Sequence, residues 1–587
     1  MREILRHLWR YRYRLLLGVA ALFIVDGAQL VVPLIIRQAV DQLSAGVGEN
    51  LVRYALYVAG LAAVILVLRY YWRYFIFGSA RRIEQDLRAQ LYDHLLTLSP
   101  QFYNRTRTGD LMAHANNDVD AVRMACGMGL LALADAVVMV SFSIAAMLAI
   151  NTKLTLYAFI PLPFITAVAL GFGRVIHRRF EAVQAAFSTV TEKVRENFAG
   201  IRVVKSFAQE EGAARDFART NELFVAKNMT LVRVWGLFDP AITLLAGLSV
   251  AIVLWLGGRA VILKGISLGD FVAFTSYLGM LTWPMMALGW VVNLLQRGAA
   301  SMDRLKRVLA ERPEITAPAR PRAIPGRGEI EFRNLTFAYG NGAPVLRDLN
   351  LRINPGTVLG VIGLTGSGKS TLVDLLTRRF DPPPGSVLID GVDIRELDLR
   401  ALRELIGMVP QDVFLFSATI RENIAFGRAG ASEAEVKRAA ELAGLWEEIA
   451  AFPEGLETVV GERGLSLSGG QRQRVGIARA LLRDPKILIL DDALSAVDAH
   501  IEELILHNLR EVLRARTSII ISHRISAVRE ADLIVVMEGG RIIERGTHEE
   551  LVGLGGLYYR LHQLQQLEEA QARSARTVGV DQEEHSR

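Results

Sequence analysis

Gly363-Leu364-Thr365-Gly366-Ser367-Gly368-Lys369-Ser370 is the stretch on which the fold of this chain turns. It follows an apolar run, Val358–Ile362, and leads into helix formers over Thr371–Arg379, so the order predicts strand, glycine loop, helix. The glycines let backbone N–H groups close around an anion at a helix N-terminus, where the first donors have no partner inside the helix. Phosphate fits that cradle. Gly363, Thr365, Gly366, Ser367, Gly368 and Thr371 form its wall, and Lys369 neutralises β- and γ-phosphate charge. The Ser370 hydroxyl reaches Mg²⁺, so ATP with Mg²⁺ is the expected cofactor.

Toward the C-terminus, Ile487-Leu-Ile-Leu-Asp491 reads as a buried strand ending in the carboxylate that organises Mg²⁺, the Walker B aspartate. Between the two motifs lies Leu467-Ser468-Gly469-Gly470-Gln471-Arg-Gln-Arg474. This ordered set resembles the ABC ATPases, and the resemblance assigns further residues. Tyr339 is similar to the aromatic that stacks on adenine. Gln411 matches the residue linking Mg²⁺ to a membrane domain, which implies a part in both catalysis and the metal site. Gly461-Glu-Arg-Gly464 resembles a motif that touches intracellular helices, and Ser495-Ala-Val-Asp498 resembles the D-loop. His523 matches the switch histidine near the γ-phosphate. In that family each ATP lies between one chain's phosphate loop and another chain's signature, here Ser468, Gly469, Gly470 and Gln471.

One residue departs from the pattern. The family places glutamate after the Walker B aspartate, where it orients or deprotonates the attacking water; this chain has Asp492. The side chain is one methylene shorter, which draws the carboxylate back by roughly an ångström, and a displacement of that order costs about 10²-fold in rate. Leu494 also replaces a threonine common in the family. The resemblance therefore implies a site that binds ATP and hydrolyses it slowly, with the competent site completed by a different partner chain: a heterodimer.

The other half of the chain is of another kind. The whole is 587 residues, 51% apolar and 22% charged, with a net charge of +6 and one cysteine. A single cysteine excludes an intrachain disulfide and a Cys-rich metal site. A helix needs about 20 apolar residues to cross a bilayer core of about 30 Å. Six stretches qualify: Leu15–Ile36, Tyr54–Phe77, Leu130–Ile150, Leu154–Phe172, Leu237–Leu256 and Phe271–Val292. Long, charged links separate the second from the third and the fourth from the fifth. With Arg2, Arg6, Arg10, Arg12 and Arg14 inside, the positive-inside bias puts those links in the cytoplasm.

The expected organisation is a six-span α-helical transmembrane domain over 1–312, with long cytoplasmic helical extensions. A linker follows over 313–327, then an α/β nucleotide-binding domain over 328–564 and a polar tail over 565–587. The resemblance covers the membrane half too, and is closest to bacterial multidrug-resistance-like half-transporters of the type IV exporter fold. It likens Phe102–Met112 with Asn116–Asp120, and Glu196–Phe207, to the two intracellular coupling regions.

Asp26, Arg69, Arg73, Asp135 and Asp239 lie in or near the spans, where ionisable groups face a partner or an aqueous path. Tyr70, Tyr71, Trp72, Tyr74 and Phe75, with Trp283, Met285, Met286 and Trp290, would suit bulky amphipathic cargo or line the membrane interface. The expected activity is ATP-driven export of amphipathic or hydrophobic compounds across the cytoplasmic (inner) membrane. The partners are the bilayer, the small amphipathic substrate and a second half-transporter bearing the consensus glutamate, and no nucleic acid. A lipid or peptide exporter or flippase, homodimeric in form, is the alternative; a non-transporting regulator or channel is a further one.

Overall fold

The computed structural model describes residues 2–46, 50–340, 342–461, 464 and 466–567. By internal packing the chain divides into two units: Met1–Leu96 with Thr108–Glu311, and Thr97–Arg107 with Arg312–Arg587.

The first unit is helical. Among the described residues, four helices are long and apolar enough to cross a membrane by length and composition: Arg12–Ser44, Leu51–Thr97, Thr108–Ile150 and Glu210–Ile262. The other two expected spans fall on shorter apolar stretches, Thr152–Ile165 and Leu268–Leu281. The latter opens the helix Leu268–Ala310. Leu51–Thr97 has 47 residues; at 1.5 Å per residue a helix of that length runs about 70 Å, well beyond a bilayer core. Leu66, Leu244, Trp255 and Ile262 stay exposed on these helices, the apolar surface that lipid covers.

The fourth expected span is not continuous. Helix Thr152–Ala158 stops, residues 159–161 turn, and a new helix runs Leu162–Ala199. Pro161 and Pro163 account for the break, because proline removes a helix donor and disfavours helical backbone in the residue before it. The helix Thr108–Ile150 in turn contains two π-turns, His114–Asp118 and Ala125–Gly129.

Close packing ties the first and last long helices of this unit to the third. Tyr277, 1% exposed, donates its hydroxyl to the Leu30 carbonyl at 2.8 Å. A Cβ at Gly298 would lie 2.3 Å from that of Ala125, so only glycine allows this approach. The N-terminus of Leu268–Ala310 carries a capping box between Ser267 and Asp270. Asp41, from the first long helix, adds a second layer by accepting from Gly269 N at 2.7 Å and Ser267 Oγ at 2.9 Å. Arg37 pairs with Asp270 at 2.8 Å. Of the intramembrane charges, Asp26 is 1% exposed with Asp135 and Arg69 as its ionisable neighbours, whereas Asp239 is exposed. The side chains of Met285 and Met286 lie outside the described residues.

The second unit is α/β. Its strands are β1 (Ile330–Phe337), β2 (Leu346–Ile353), β3 (Val358–Gly363), β4 (Val387–Ile389), β5 (Val392–Asp393), β6 (Ile406–Val409), β7 (Ile487–Asp491), β8 (Thr517–Ile521), β9 (Leu533–Glu538) and β10 (Arg541–Gly546). An antiparallel sheet has the order β2-β1-β4-β5, and the larger sheet has the order β10-β9-β3-β8-β7-β6. In the larger one β9, β3, β8, β7 and β6 are parallel and only β10 is antiparallel. Every residue of β3, β7 and β8 is buried, as continuous apolar runs in a parallel sheet require.

Segment 97–107 packs with this unit as the short helix Pro100–Arg105, in which Phe102 is buried. Ser99 Oγ accepts from Ile315 N at 3.0 Å, and Arg105 pairs with Glu314 at 3.7 Å. The other expected coupling stretch ends the helix Leu162–Ala199 and forms the short helix Ile201–Ser206. Residues 565–567 continue a helix that begins at 557; the rest of the expected tail, 568–587, lies outside the described residues.

Candidate functional site

The parallel sheet collects the motifs at one edge. β3, β8, β7 and β6 lie side by side in that order, all pointing the same way. Open α/β sheets bind ligands beyond the C-terminal ends of such strands. Gly363 ends β3, Gln411 lies two residues beyond β6, Asp491 ends β7, and His523 lies two residues beyond β8.

The glycine loop needs its glycines for space as well as conformation. A Cβ at Gly363 would meet the Met537 carbonyl oxygen at 2.3 Å. Gly368 sits at φ +100°, and a Cβ there would meet Leu346 at 2.7 Å. The following helix runs Lys369–Leu376, starting two residues earlier and ending three earlier than the sequence reading placed it, so Lys369 and Ser370 occupy its first turn. Lys369 is buried and folds back into the loop. Its Nζ donates to Gly363 O at 2.8 Å, Leu364 O at 2.9 Å and Ser367 Oγ at 3.4 Å. Burial pulls its pKa down, and the nearby Asp492 and Asp491 carboxylates oppose that. The ammonium thus lies where phosphate oxygens would compete for it.

Ser370 Oγ donates to Asp491 Oδ1 at 3.4 Å. Burial pushes the Asp491 carboxyl above its usual range, while the Ser370 hydrogen bond lowers it. A hydroxyl and one carboxylate converging beside a phosphate cradle fit Mg²⁺, which takes oxygen ligands and fills its shell with water and phosphate. Among the described residues no three of His, Cys, Asp and Glu gather as a self-contained metal site. Asp492 donates its backbone N–H to Ile521 O at 2.9 Å and has φ +48°. Gln411 and His523 reach the same edge with exposed side chains.

Tyr339 stands beside the loop helix. Its hydroxyl donates to Thr371 Oγ1 at 3.0 Å, and its ring meets Phe380 edge-on at 4.9 Å and Phe337 at 5.1 Å. Burial raises the phenol pKa. Thr365 and Gly366 lie in the turn of the loop, Gly366 at φ +79°.

The signature forms the N-terminus of the helix Gly469–Leu482. Ser468 caps it, and a capping box joins Ser468 and Gln471. Gln471 Nε2 also donates to Glu448 at 2.7 Å. A Cβ at Gly470 would press on the Ala496 carbonyl at 3.0 Å, so the D-loop lies against this turn. Among the described residues no hydrogen bond or ion pair joins 468–471 to 363–371. The structure therefore brings Gly363–Thr371, Asp491, Asp492, Gln411 and His523 to one edge and sets the signature on a separate helix. Glu462 and Arg463 of the motif 461–464 lie outside the described residues.

Residues to which the sequence motifs assign no role brace this edge. Gln473, buried, donates to Ser495 Oγ at 3.0 Å and accepts from Ala496 N at 2.9 Å. Arg524 donates to the carbonyls of Val497 at 3.2 Å and Ser495 at 3.4 Å, and pairs with the buried Glu502. No local sequence pattern marks Gln473: it is buried beside the core residues Val475 and Ile477, and its partners lie 22 and 23 residues away in the D-loop.

Comparisons with known proteins agree with this geometry. The family model for the ABC transporter transmembrane region matches residues 15–285, and that for the ABC transporter matches residues 346–495. The chain is 40% identical over 561 residues to the probable multidrug resistance ABC transporter ATP-binding/permease protein YheI of Bacillus subtilis, covering 95% of this chain and 96% of that one. It is 40% identical over 572 residues to the multidrug resistance-like ATP-binding protein MdlA of Escherichia coli, covering 96% of each. A solved bacterial Atm1-family ABC exporter with ATP bound superposes with a TM-score of 0.76 at 28% identity, over 94% of this chain and 98% of that one. With a membrane-spanning helical unit, a nucleotide edge on a parallel sheet and these matches, the chain belongs to the ABC transporter family, as a half-transporter that hydrolyses ATP to drive export.

Proposed function

We propose that this chain exports amphipathic or hydrophobic compounds across the cytoplasmic membrane as one half of a heterodimer, and that its own phosphate loop builds the slower of the two ATP sites. Asp492 carries the reading. It follows the Walker B aspartate directly, and a carboxylate one methylene short of glutamate stands back from the water it must orient. The negative charge of Asp492 is felt at the Lys369 ammonium, so the two face the same site.

In this reading Tyr339 carries the adenine, Gly363–Gly368 and Lys369 hold the phosphates, and His523 faces the γ-phosphate. Ser370, Asp491 and Gln411 would hold Mg²⁺, which when bound supplies charge neutralisation across the β- and γ-phosphates. Among the described residues the signature on the helix Gly469–Leu482 makes no hydrogen bond or ion pair to the chain's own loop, and in this reading it serves the partner's site. That partner is a second half-transporter with glutamate after its Walker B aspartate. The exposed aromatics Tyr70, Tyr71 and Tyr74 on Leu51–Thr97, with Trp283 and Trp290 on Leu268–Ala310, favour a bulky amphipathic cargo. Vesicle flux of a lipophilic dye, measured with ATPase rate on both chains together, tests this. ATP-dependent flux supports export, and passive flux with ATP merely gating it would replace the pump by a channel.

A further inference from the structure

We propose that Gln565, on the helix 557–567, is the positioning residue for His523. The proposal rests on the reading that His523 faces the γ-phosphate at this chain's ATP site.

His523 is exposed, so the backbone of 522–525 sets the point from which its imidazole projects. That backbone is tied down group by group. Ser522 N donates to Val361 O at 3.2 Å, and Arg524 N donates to Ser522 Oγ at 3.0 Å. The His523 carbonyl and the Ile525 N–H are both met by one side chain. Gln565 Nε2 donates to His523 O at 2.6 Å, and Gln565 Oε1 accepts from Ile525 N at 2.8 Å. A primary amide offers a donor and an acceptor side by side, which no hydroxyl or charged group does in the same geometry. Two contacts on either side of the His523 to Ile525 stretch fix its orientation as well as its distance.

The helix bearing Gln565 is built to hold still. Glu544 of β10 accepts from Leu557 N and from Tyr558 N at 3.1 Å, placing a carboxylate on the helix N-terminus. Gly556 leaves room for it, since a Cβ there would lie 2.2 Å from Glu544 Oε1. Tyr558 is fully buried in the core, with its hydroxyl bonded to His548 Nδ1 at 2.7 Å, and Leu561 packs on the same cluster. Tyr558, Leu561 and Gln565 recur at helical spacing, so anchor and amide share one face. From the other side Arg524 holds the loop to the D-loop carbonyls. The His523 loop is therefore gripped between the D-loop and a helix from the end of the described chain.

The test uses the assembled transporter in lipid vesicles with Mg²⁺ and a radiolabelled photoreactive ATP analogue. Retention on this chain, identified after cross-linking, is followed during a chase with unlabelled ATP. Gln565→Met keeps the length of the side chain and removes both hydrogen bonds, so it should speed loss of label by roughly three- to tenfold, the worth of one or two neutral hydrogen bonds. Initial labelling should stay as in the parent, and the thermal midpoint should fall by no more than about 2–4 °C, the scale of about 1 kcal/mol in a domain of this size. Gln565→Glu accepts from Ile525 N but cannot donate to His523 O, so it should also release faster. It decides the matter if Gln565→Met proves unstable. His523→Ala should release at least as fast, and adding Gln565→Met to it should change nothing more. Parent-like retention in both Gln565 variants, or an effect that multiplies with that of His523→Ala, would overturn the proposal. An unchanged His523→Ala would remove the reading of His523, and the proposal with it.

Discussion

Asp492 donates its backbone N–H to the Ile521 carbonyl at 2.9 Å, which joins the residue after the Walker B strand to the strand that leads into His523. Asp492 sits at φ +48°, left-handed backbone that aspartate tolerates through local hydrogen bonding of its short side chain. Asp492→Glu should therefore do two things. Single-turnover hydrolysis at this chain's site should rise as the carboxylate reaches the water. The thermal midpoint should fall by about 2–4 °C, as expected for a cost of about 1 kcal/mol in a domain of this size. Calorimetry and single-turnover kinetics on one preparation check both.

Lys369 makes its hydrogen bonds inside the phosphate loop, so Lys369→Ala removes the cation and frees the carbonyls it held. Loss of charge-assisted bonds worth about 1.5–3 kcal/mol each predicts at least a tenfold drop in ATP-analogue labelling of this chain. Labelling at the partner's site should persist, and the cross-linked chain must be identified. Undiminished labelling on this chain would show that the loop does not hold the phosphates as described.

Asp41 bridges the first long helix to the cap of Leu268–Ala310, 2.7 Å from Gly269 N and 2.9 Å from Ser267 Oγ. Asp41→Ala leaves both donors short of a partner and should cost about 1–3 kcal/mol, seen as a lower thermal midpoint of the reconstituted transporter. Gly269→Val should cost more, because a Cβ there would lie 2.2 Å from the Arg37 carbonyl oxygen. Midpoints equal to the parent's in both variants would mean that this contact bears no load.

The sequence was most legible where chemistry demands a fixed order. The Walker strand, glycine loop and helix were readable because phosphate needs all three, and β7 ends at Asp491 as expected from its apolar run. Spans showed because lipid needs length. The break at residues 159–161 was written in Pro161 and Pro163, yet the apolar pattern runs through it and hides it. The Asp41 cap, the Gln473 brace and the Gln565 grip were not legible. Their partners lie far off in sequence, and no local period marks a polar side chain that answers a distant backbone group. The role proposed for Asp492 rests only on a family pattern, since an aspartate after an aspartate has no periodic signature of its own.

Topology is open to direct labelling. With Cys126→Ser as background, a reagent that cannot cross the membrane should label Ala45→Cys in intact cells and miss Arg107→Cys. Both parent residues are exposed, so access to reagent depends on the side of the membrane. The reverse pattern would invert the assignment of the long helical extensions to the cytoplasm.

Steady-state ATPase of the assembled pair, compared between Asp492→Asn and Ser468→Arg in this chain, tests the central claim most directly. In the proposed pair Asp492 belongs to this chain's slow site, whereas Ser468, which caps the helix Gly469–Leu482, completes the partner's fast one. Asp492→Asn should lower turnover less than about twofold, and Ser468→Arg should lower it by about 10²-fold or more, the scale of a misplaced reacting group. Equal and severe losses from both variants, or robust cooperative ATPase and transport by this chain alone, would contradict an asymmetric pair.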